Sequence, residues 1–101
     1  MNHENYMPVL NLHRLNIELS CRYGETIFDV AIRNSIPIAE SCGGSKICGH
    51  CRIIVLQGME NLSEPDFEET KLMQEKKFLE NERLACSAKI YGDVKITTSY
   101  W

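Results

Sequence analysis

Four of the five cysteines restrict what this chain can fold into more than any other feature. Cys42, Cys48 and Cys51 lie within ten residues, with gaps of five and then two residues, and 34 further residues precede Cys86. Four thiolates suit either a tetrahedral zinc ion or an iron–sulfur cluster. To bind either one with all four thiolates, the folded chain must place residue 86 next to residues 42–51. The fold must therefore bring two distant parts of the chain together.

The spacing favours a cluster over zinc. Structural zinc sites usually take two short pairs of ligands, whereas three of these cysteines share one segment. A 2Fe-2S cluster is wider than a single ion and needs ligands on two sides, so the segment must turn repeatedly around it. Glycine permits such turns, and it lets backbone N–H groups approach sulfur closely. The glycines in this segment are Gly43, Gly44 and Gly49.

Length and composition predict one domain spanning 1–101, with residues 1–8 flexible. Residues 1–8 contain neither a secretory signal nor a membrane anchor, so the expected location is the cytoplasm. In a reducing compartment, cysteines are more readily metal ligands than disulfide partners. Cys21, the fifth cysteine, ends a predicted strand, and we interpret it as a small buried apolar side chain.

Hydrophobic periodicity predicts a strand hairpin followed by a helix. Apolar residues alternate with polar ones over 10–19, and the chain folds back at His13-Arg14. Ile27, Val30 and Ala31 then fall on one helical face, and the helix ends within residues 34–37, before Pro37. This order indicates two strands and one crossing helix.

After the cysteine segment, the pattern predicts a buried strand at 52–56 and a helix that begins at Ser63, with Ser63 as its cap. A last hairpin is predicted from residues 84–91 and 94–98, turning at Gly92-Asp93. The expected fold class is α+β: a small mixed sheet crossed by one main helix, with short helices before the last hairpin.

Negative charge is concentrated between the third and fourth cysteines. The net charge is -3, and residues 59–86 hold eight acids and four bases, against six acids and seven bases elsewhere. This distribution argues against binding to nucleic acid and fits docking to a basic protein surface. The alternative is a solvated helix face. The acids predicted to form the docking face are Asp66, Glu68, Glu69 and Glu75.

Residues 41–52, SCGGSKICGHCR, and residues 82–86, ERLAC, resemble the 2Fe-2S ferredoxin family. The gap of five residues is similar to that of the adrenodoxin-like and bacterial ferredoxins. The resemblance implies the β-grasp fold, one 2Fe-2S cluster and one-electron transfer. It also implies the ligand set, with one iron bound by Cys42 and Cys48 and the other by Cys51 and Cys86.

The function implied by this resemblance is that of a soluble, monomeric electron carrier between a ferredoxin reductase and an acceptor enzyme, with no catalysis of its own and no nucleic-acid or membrane partner. The cysteine segment is also similar to the ferredoxin domain of reductive activators of corrinoid proteins. A dedicated subunit of an oxygenase or of a corrinoid-activation system is therefore an alternative. A zinc-stabilised interaction module is a third.

Overall fold

The computed structural model describes residues 7–36 and 52–98. Within these ranges lie five strands and two α-helices. They are β1 (Val9–Leu12), β2 (Ile17–Ser20), α1 (Ile27–Arg33), β3 (Arg52–Gln57), α2 (Phe67–Glu75), β4 (Glu82–Leu84) and β5 (Val94–Thr97). Cys42, Cys48 and Cys51 lie outside the described residues, as do residues 1–6 of the predicted flexible N-terminus.

The five strands form one mixed sheet in the order β2-β1-β5-β3-β4. The first and last strands, β1 and β5, are parallel, and the other neighbouring pairs are antiparallel. The predicted small mixed sheet is therefore confirmed. Because β2 and β4 lie at opposite edges, features on these two strands are widely separated in the molecule.

The first hairpin and helix α1 form as the periodicity predicts. A 3-10 turn at His13–Leu15 joins β1 to β2. Thr26 caps α1 by accepting a hydrogen bond from the Asp29 N–H at 3.1 Å, which satisfies one of the helix's unpaired donors. Buried residues of α1 join the same core as residues of β1, β3 and β5. Members of this core include Leu10, Leu12, Ile27, Val30, Ala31, Ile53 and Ile96.

The predicted last hairpin is wrong. In the described part of the sheet, β4 and β5 do not pair with each other, because each pairs with β3 on a different side. After Leu84 the chain leaves the sheet in a turn, and the following residues make isolated bridges, Lys89 with Thr26 and Ile90 with Leu62. This departure from the sheet places Cys86 on a turn.

Two local predictions in the same region also need correction. Ser63 does not cap a helix, because its hydroxyl accepts from the Lys89 N–H and donates to the Ser87 carbonyl. Helix α2 instead begins four residues later, capped by Asp66. Strand β3 is buried only at alternate positions over its first four residues, since one side faces the core and the other is partly exposed.

Candidate metal centre

Cys86 is the predicted ligand that the structure describes. It is half-buried in the turn at residues 85–87, directly after β4. The N–H groups of Ser87 and Ala88 both donate to the Leu84 carbonyl, at 3.1 and 3.0 Å. These bonds close a tight turn that presents Cys86 beside the sheet instead of within it.

The N-terminus of α1 fixes this turn on both sides of Cys86. The Phe28 N–H donates to the Ala85 carbonyl at 2.9 Å, and the Ile27 N–H donates to the Ala88 carbonyl at 3.0 Å. The first N–H groups of a helix have no partner inside the helix, so the turn satisfies them. The backbone that carries Cys86 is therefore held by both the sheet and the helix.

The register between β3 and β4 brings the end of the cysteine segment close to this turn. Arg52, the residue after Cys51, is the partner of Leu84 across the antiparallel pair. Neighbouring strands lie about 4.8 Å apart, and Cys86 is two residues beyond Leu84. This arrangement fits a group that takes ligands from both parts of the chain, as the four thiolates require.

The side chain of Arg52 strengthens this junction. It donates to the Lys76 carbonyl at 3.1 Å and lies 3.7 Å from the carboxylate of Glu82. Its guanidinium also covers the ring of Phe78 at 4.2 Å from the ring centre, a favourable cation–π geometry. One residue thus joins the end of the cysteine segment to α2 and β4.

A buried ion pair connects α2 to β4. The guanidinium of Arg83 donates two bonds to the carboxylate of Glu69, at 2.7 and 2.9 Å, and the Leu84 N–H adds a third at 3.1 Å. Glu69 is only 1% exposed. The docking role predicted for Glu69 is therefore corrected: a carboxylate enclosed in this way has a structural partner and no access to another protein.

The other three predicted docking acids are exposed on α2 or at its start. Asp66 accepts the Glu69 N–H at 2.8 Å and so also caps the helix. Glu68 and Glu75 are exposed. Phe67, between Asp66 and Glu68, is 82% exposed and adds an apolar surface beside these acids. The structure thus brings three acids and one aromatic ring to one helix.

The structure confirms the prediction that Cys21 is a buried core residue. It is fully buried, and its thiol lies 3.7 Å from the Leu19 carbonyl. Burial, reinforced by the charge of Glu25, raises the pKa of the Cys21 thiol to about 11. The thiol is thus neutral at physiological pH and unsuited to bind a metal as a thiolate.

Among the residues that the structure describes, no group of three or more His, Cys, Asp or Glu side chains is placed to hold a metal ion. Three of the four predicted ligands lie outside this part of the chain. None of the described helices is long and apolar enough to cross a membrane.

Sequence reasoning missed the buried pair of Glu69 and Arg83 and the clamp formed by Arg52. The two members of the pair are 14 residues apart, so no local pattern marks them. Glu69 lies in the same acidic run as Glu68, and only the fold shows that Glu69 is buried while Glu68 is exposed. Arg52 was visible as a charge beside the cysteines, but its contacts with α2 depend on the tertiary structure.

Comparison with known proteins supports the fold and the cofactor. Residues 10–91 match the model of the 2Fe-2S iron-sulfur cluster binding domain. The chain is 37% identical over 87 residues to 2Fe-2S ferredoxin-5 of Aquifex aeolicus, which covers 85% of this chain and 91% of that protein. Other curated relatives are longer, and the chain spans between 36% and 78% of their length.

Solved structures show the same fold at lower identity. The ISC-like 2Fe-2S ferredoxin of Pseudomonas putida superposes with a TM-score of 0.74 at 24% identity, covering 94% of this chain and 93% of that one. The ferredoxin reductase in carbazole 1,9a-dioxygenase gives a TM-score of 0.75 at 20% identity, over 93% of this chain and 28% of that one. The predicted β-grasp fold is thereby confirmed.

The fold and the matched domain define an iron–sulfur electron carrier with one 2Fe-2S cluster, so zinc is set aside as the cofactor. This chain belongs to the 2Fe-2S ferredoxin family. When bound, such a cluster supplies one-electron oxidation and reduction.

Proposed function

We propose that this ferredoxin accepts one electron from a reductase and passes it to an acceptor enzyme, as a freely diffusing carrier in the cytoplasm. The electron that enters is the electron that leaves, so the chain makes and breaks no substrate bond and needs no catalytic residue. The proposed ligands are Cys42, Cys48, Cys51 and Cys86.

The observation that carries this proposal is the rigid connection between α2 and the turn that holds Cys86. The buried Glu69–Arg83 pair joins α2 to β4, and β4 leads directly into the turn. A partner that contacts α2 therefore contacts an element fixed to a cluster ligand. Such a connection would keep the distance for electron transfer constant from one encounter to the next.

The exposed face of α2 has the charge expected for recognition of a basic partner. Asp66, Glu68 and Glu75 supply negative charge, and the exposed ring of Phe67 supplies an apolar contact beside it. Complementary charge accelerates association at low salt, and aromatic side chains frequently dominate the binding energy of an interface. We propose these four residues as the docking face.

The test of docking is the double variant Glu68→Lys with Glu75→Lys. Neither side chain takes part in the buried pair or the helix cap, whereas changes at Glu69 or Asp66 would disturb the fold. We expect the second-order rate of reduction by a basic reductase to fall about tenfold at low ionic strength. The rate should also lose most of its dependence on salt, because charge attraction is screened beyond about 10 Å at 0.1 M.

Glu18→Lys, compared with the single variant Glu68→Lys, is the matched control. Glu18 is exposed on β2, at the sheet edge opposite β4, so the substitution changes the charge by the same amount per site on a remote surface. A similar loss of rate in this control would show that net charge, and not the face of α2, governs association. Unaltered rates in the double variant would contradict the docking proposal.

A dedicated subunit is the alternative, and one comparison favours it. The ferredoxin fold occurs within 28% of the chain of the carbazole 1,9a-dioxygenase reductase, so this fold can belong to a larger system. Size-exclusion chromatography separates the two functions. A free carrier elutes as a monomer and turns over with reductase and acceptor added separately, whereas a dedicated subunit elutes with its complex and loses activity when removed from it.

A further inference from the structure

Among residues 7–36 and 52–98, two buried side-chain hydroxyls lack a hydrogen-bond partner, Ser87 Oγ and Thr98 Oγ1. Ser87 is the residue after Cys86, the predicted ligand on the turn. A buried hydroxyl without a partner loses its bonds to water and gains none in return. An unpaired donor at this position calls for an acceptor.

The backbone of Ser87 is already fully used, so the hydroxyl is the one donor that this residue has left. The Ser87 N–H donates to the Leu84 carbonyl at 3.1 Å, and the Ser87 carbonyl accepts from the Ser63 hydroxyl at 3.4 Å. Contacts of the flanking residues with α1 hold the turn in place. The backbone position of Ser87 is thus set by the fold before any cofactor binds.

We infer that the Ser87 hydroxyl donates a hydrogen bond to a sulfide of the cluster that Cys86 would help to hold. This inference rests on the proposed role of Cys86 as a ligand. The sulfides are hydrogen-bond acceptors, and reduction adds one negative charge to the cluster that contains them. A hydrogen bond to these atoms therefore favours the reduced state and raises the reduction potential.

The test is a potentiometric titration of the cluster-loaded Ser87→Ala protein. At a fixed applied potential, we expect the ratio of reduced to oxidised protein to fall by up to about tenfold, which is a potential lower by up to about 59 mV for a one-electron couple. Ser87→Thr retains the hydroxyl and should stay near the wild type. Valine is similar in volume to threonine but has no hydroxyl, so the potential of Ser87→Val should shift in the same direction as that of Ser87→Ala.

Thr98→Val is the matched control, since it removes the other unpartnered buried hydroxyl. Thr98 follows β5, which is separated from β4 by β3, and its variant should leave the potential unchanged. A Ser87→Ala potential equal to that of the wild type would overturn the inference, as would equal potentials for Ser87→Thr and Ser87→Val. An equal shift in Thr98→Val would overturn it too, because core packing would then be the cause.

A vibrational measurement provides an independent readout. Resonance Raman bands of the iron–sulfur bonds should shift between H₂O and D₂O in the wild type, and part of that shift should disappear in Ser87→Ala. Retention of the full isotope shift would contradict a hydroxyl donor. Cys86→Ala separates this inference from the proposed function: if that variant keeps an intact cluster, the ligand role of Cys86 fails, whatever the behaviour of Ser87.

Discussion

At the scale of single residues, the structure separates side chains that look alike in the sequence. Cys21 and Cys86 are both cysteines, yet Cys21 is fully buried in the apolar core, while Cys86 is half-buried on a turn. Glu68 and Glu69 are neighbours, yet only Glu69 is enclosed. Burial therefore decides which of these chemical groups can meet a cofactor or a partner.

Alkylation of Cys21 should be slow, and its rate should increase with pH. Burial disfavours the thiolate, so the pKa of Cys21 is raised from 9.0 to about 11. At pH 8 the reactive thiolate is then about a hundredfold rarer than at a thiol with the ordinary pKa. Mass spectrometry of the Cys21 peptide after iodoacetamide treatment of the cluster-loaded protein measures this rate.

The raised pKa of Cys21 also makes the stability of the fold depend on pH. The folded state holds the proton of Cys21 more tightly than the unfolded state does. The stability that this adds to the fold is complete below pH 9 and is lost as the pH rises towards about 11.

Urea-unfolded protein is the control for the alkylation of Cys21. Equal rates for Cys21 in folded and unfolded protein at pH 8 would contradict its placement in the core.

Glu69→Gln should destabilise the fold strongly. The substitution keeps the shape but removes the charge that balances Arg83, whose side chain is 3% exposed. Removing one partner of a buried pair typically costs about 3 kcal/mol or more. Unfolding in guanidinium chloride, followed by the visible absorption of the cluster, measures the loss in free energy of unfolding.

Glu68→Gln is the control for this substitution. Glu68 is exposed on the same helix, and surface substitutions of this kind change stability by about 0.5 kcal/mol at most. If the two variants unfold at the same denaturant concentration, the buried pair has no special part in joining α2 to β4.

At the scale of elements, local patterns and long-range pairing differ in what they reveal. The hairpin of β1 and β2 and the helix α1 were predicted from periodicity within short windows, and both form. The last hairpin was also predicted, because the tight-turn pair Gly92-Asp93 suggested local pairing, but in the sheet that the structure describes β4 and β5 do not pair with each other. In the structure, Asp93 instead accepts the Val9 N–H at 3.0 Å, a contact 84 residues apart that no local pattern encodes.

Gly58→Ala should disturb the loop between β3 and α2. Gly58 has a φ of +88°, and an added Cβ would overlap the Asp93 carbonyl oxygen and lie 3.0 Å from Val94 Cα. The strained backbone and the clash together should cost about 3 kcal/mol. Chemical denaturation of the cluster-loaded variant measures this cost.

Gly24→Ala is the comparison that isolates the clash. Gly24 has a similar φ of +84°, but an added Cβ would meet only Tyr91 Cε1, at an ordinary 3.6 Å. We expect this variant to lose about 1 kcal/mol, from the backbone conformation alone. A loss at Gly24 as large as that at Gly58 would show that close packing against Asp93 is unimportant.

Arg52→Lys should weaken the junction between the cysteine segment and α2. Lysine keeps the charge but lacks the planar group that covers Phe78 and donates to the Lys76 carbonyl. We expect a loss of about 1 kcal/mol and faster bleaching of the cluster by a chelator. Arg22→Lys, at an exposed loop arginine, should bleach at the wild-type rate, and equal bleaching of both variants would contradict the role of Arg52.

At the scale of the whole molecule, the candidate site belongs to the architecture of the fold. The sequence predicts three of the four ligands from a spacing that is local and chemically distinctive, but it does not show how Cys86 comes to join them. That placement depends on the β3–β4 register and on the bonds from α1 to the turn. Both depend on contacts between distant parts of the chain.

A 2Fe-2S cluster bound by these four thiolates would join the cysteine segment to the turn after β4. Removing it should therefore loosen the fold as well as end electron transfer. We expect the anaerobic apoprotein to melt at a lower temperature than the cluster-loaded form and to regain the original melting temperature after reconstitution with iron and sulfide. Identical melting of the two forms would contradict this structural role.

The most direct test of the account is a count of electrons and spins on the purified protein. Coulometric reduction combined with EPR integration should give one electron and one unpaired spin per chain, since this family carries one 2Fe-2S cluster. Cys86→Ala should lose both signals. A colourless wild-type protein that contains stoichiometric zinc and takes up no electron would contradict the account.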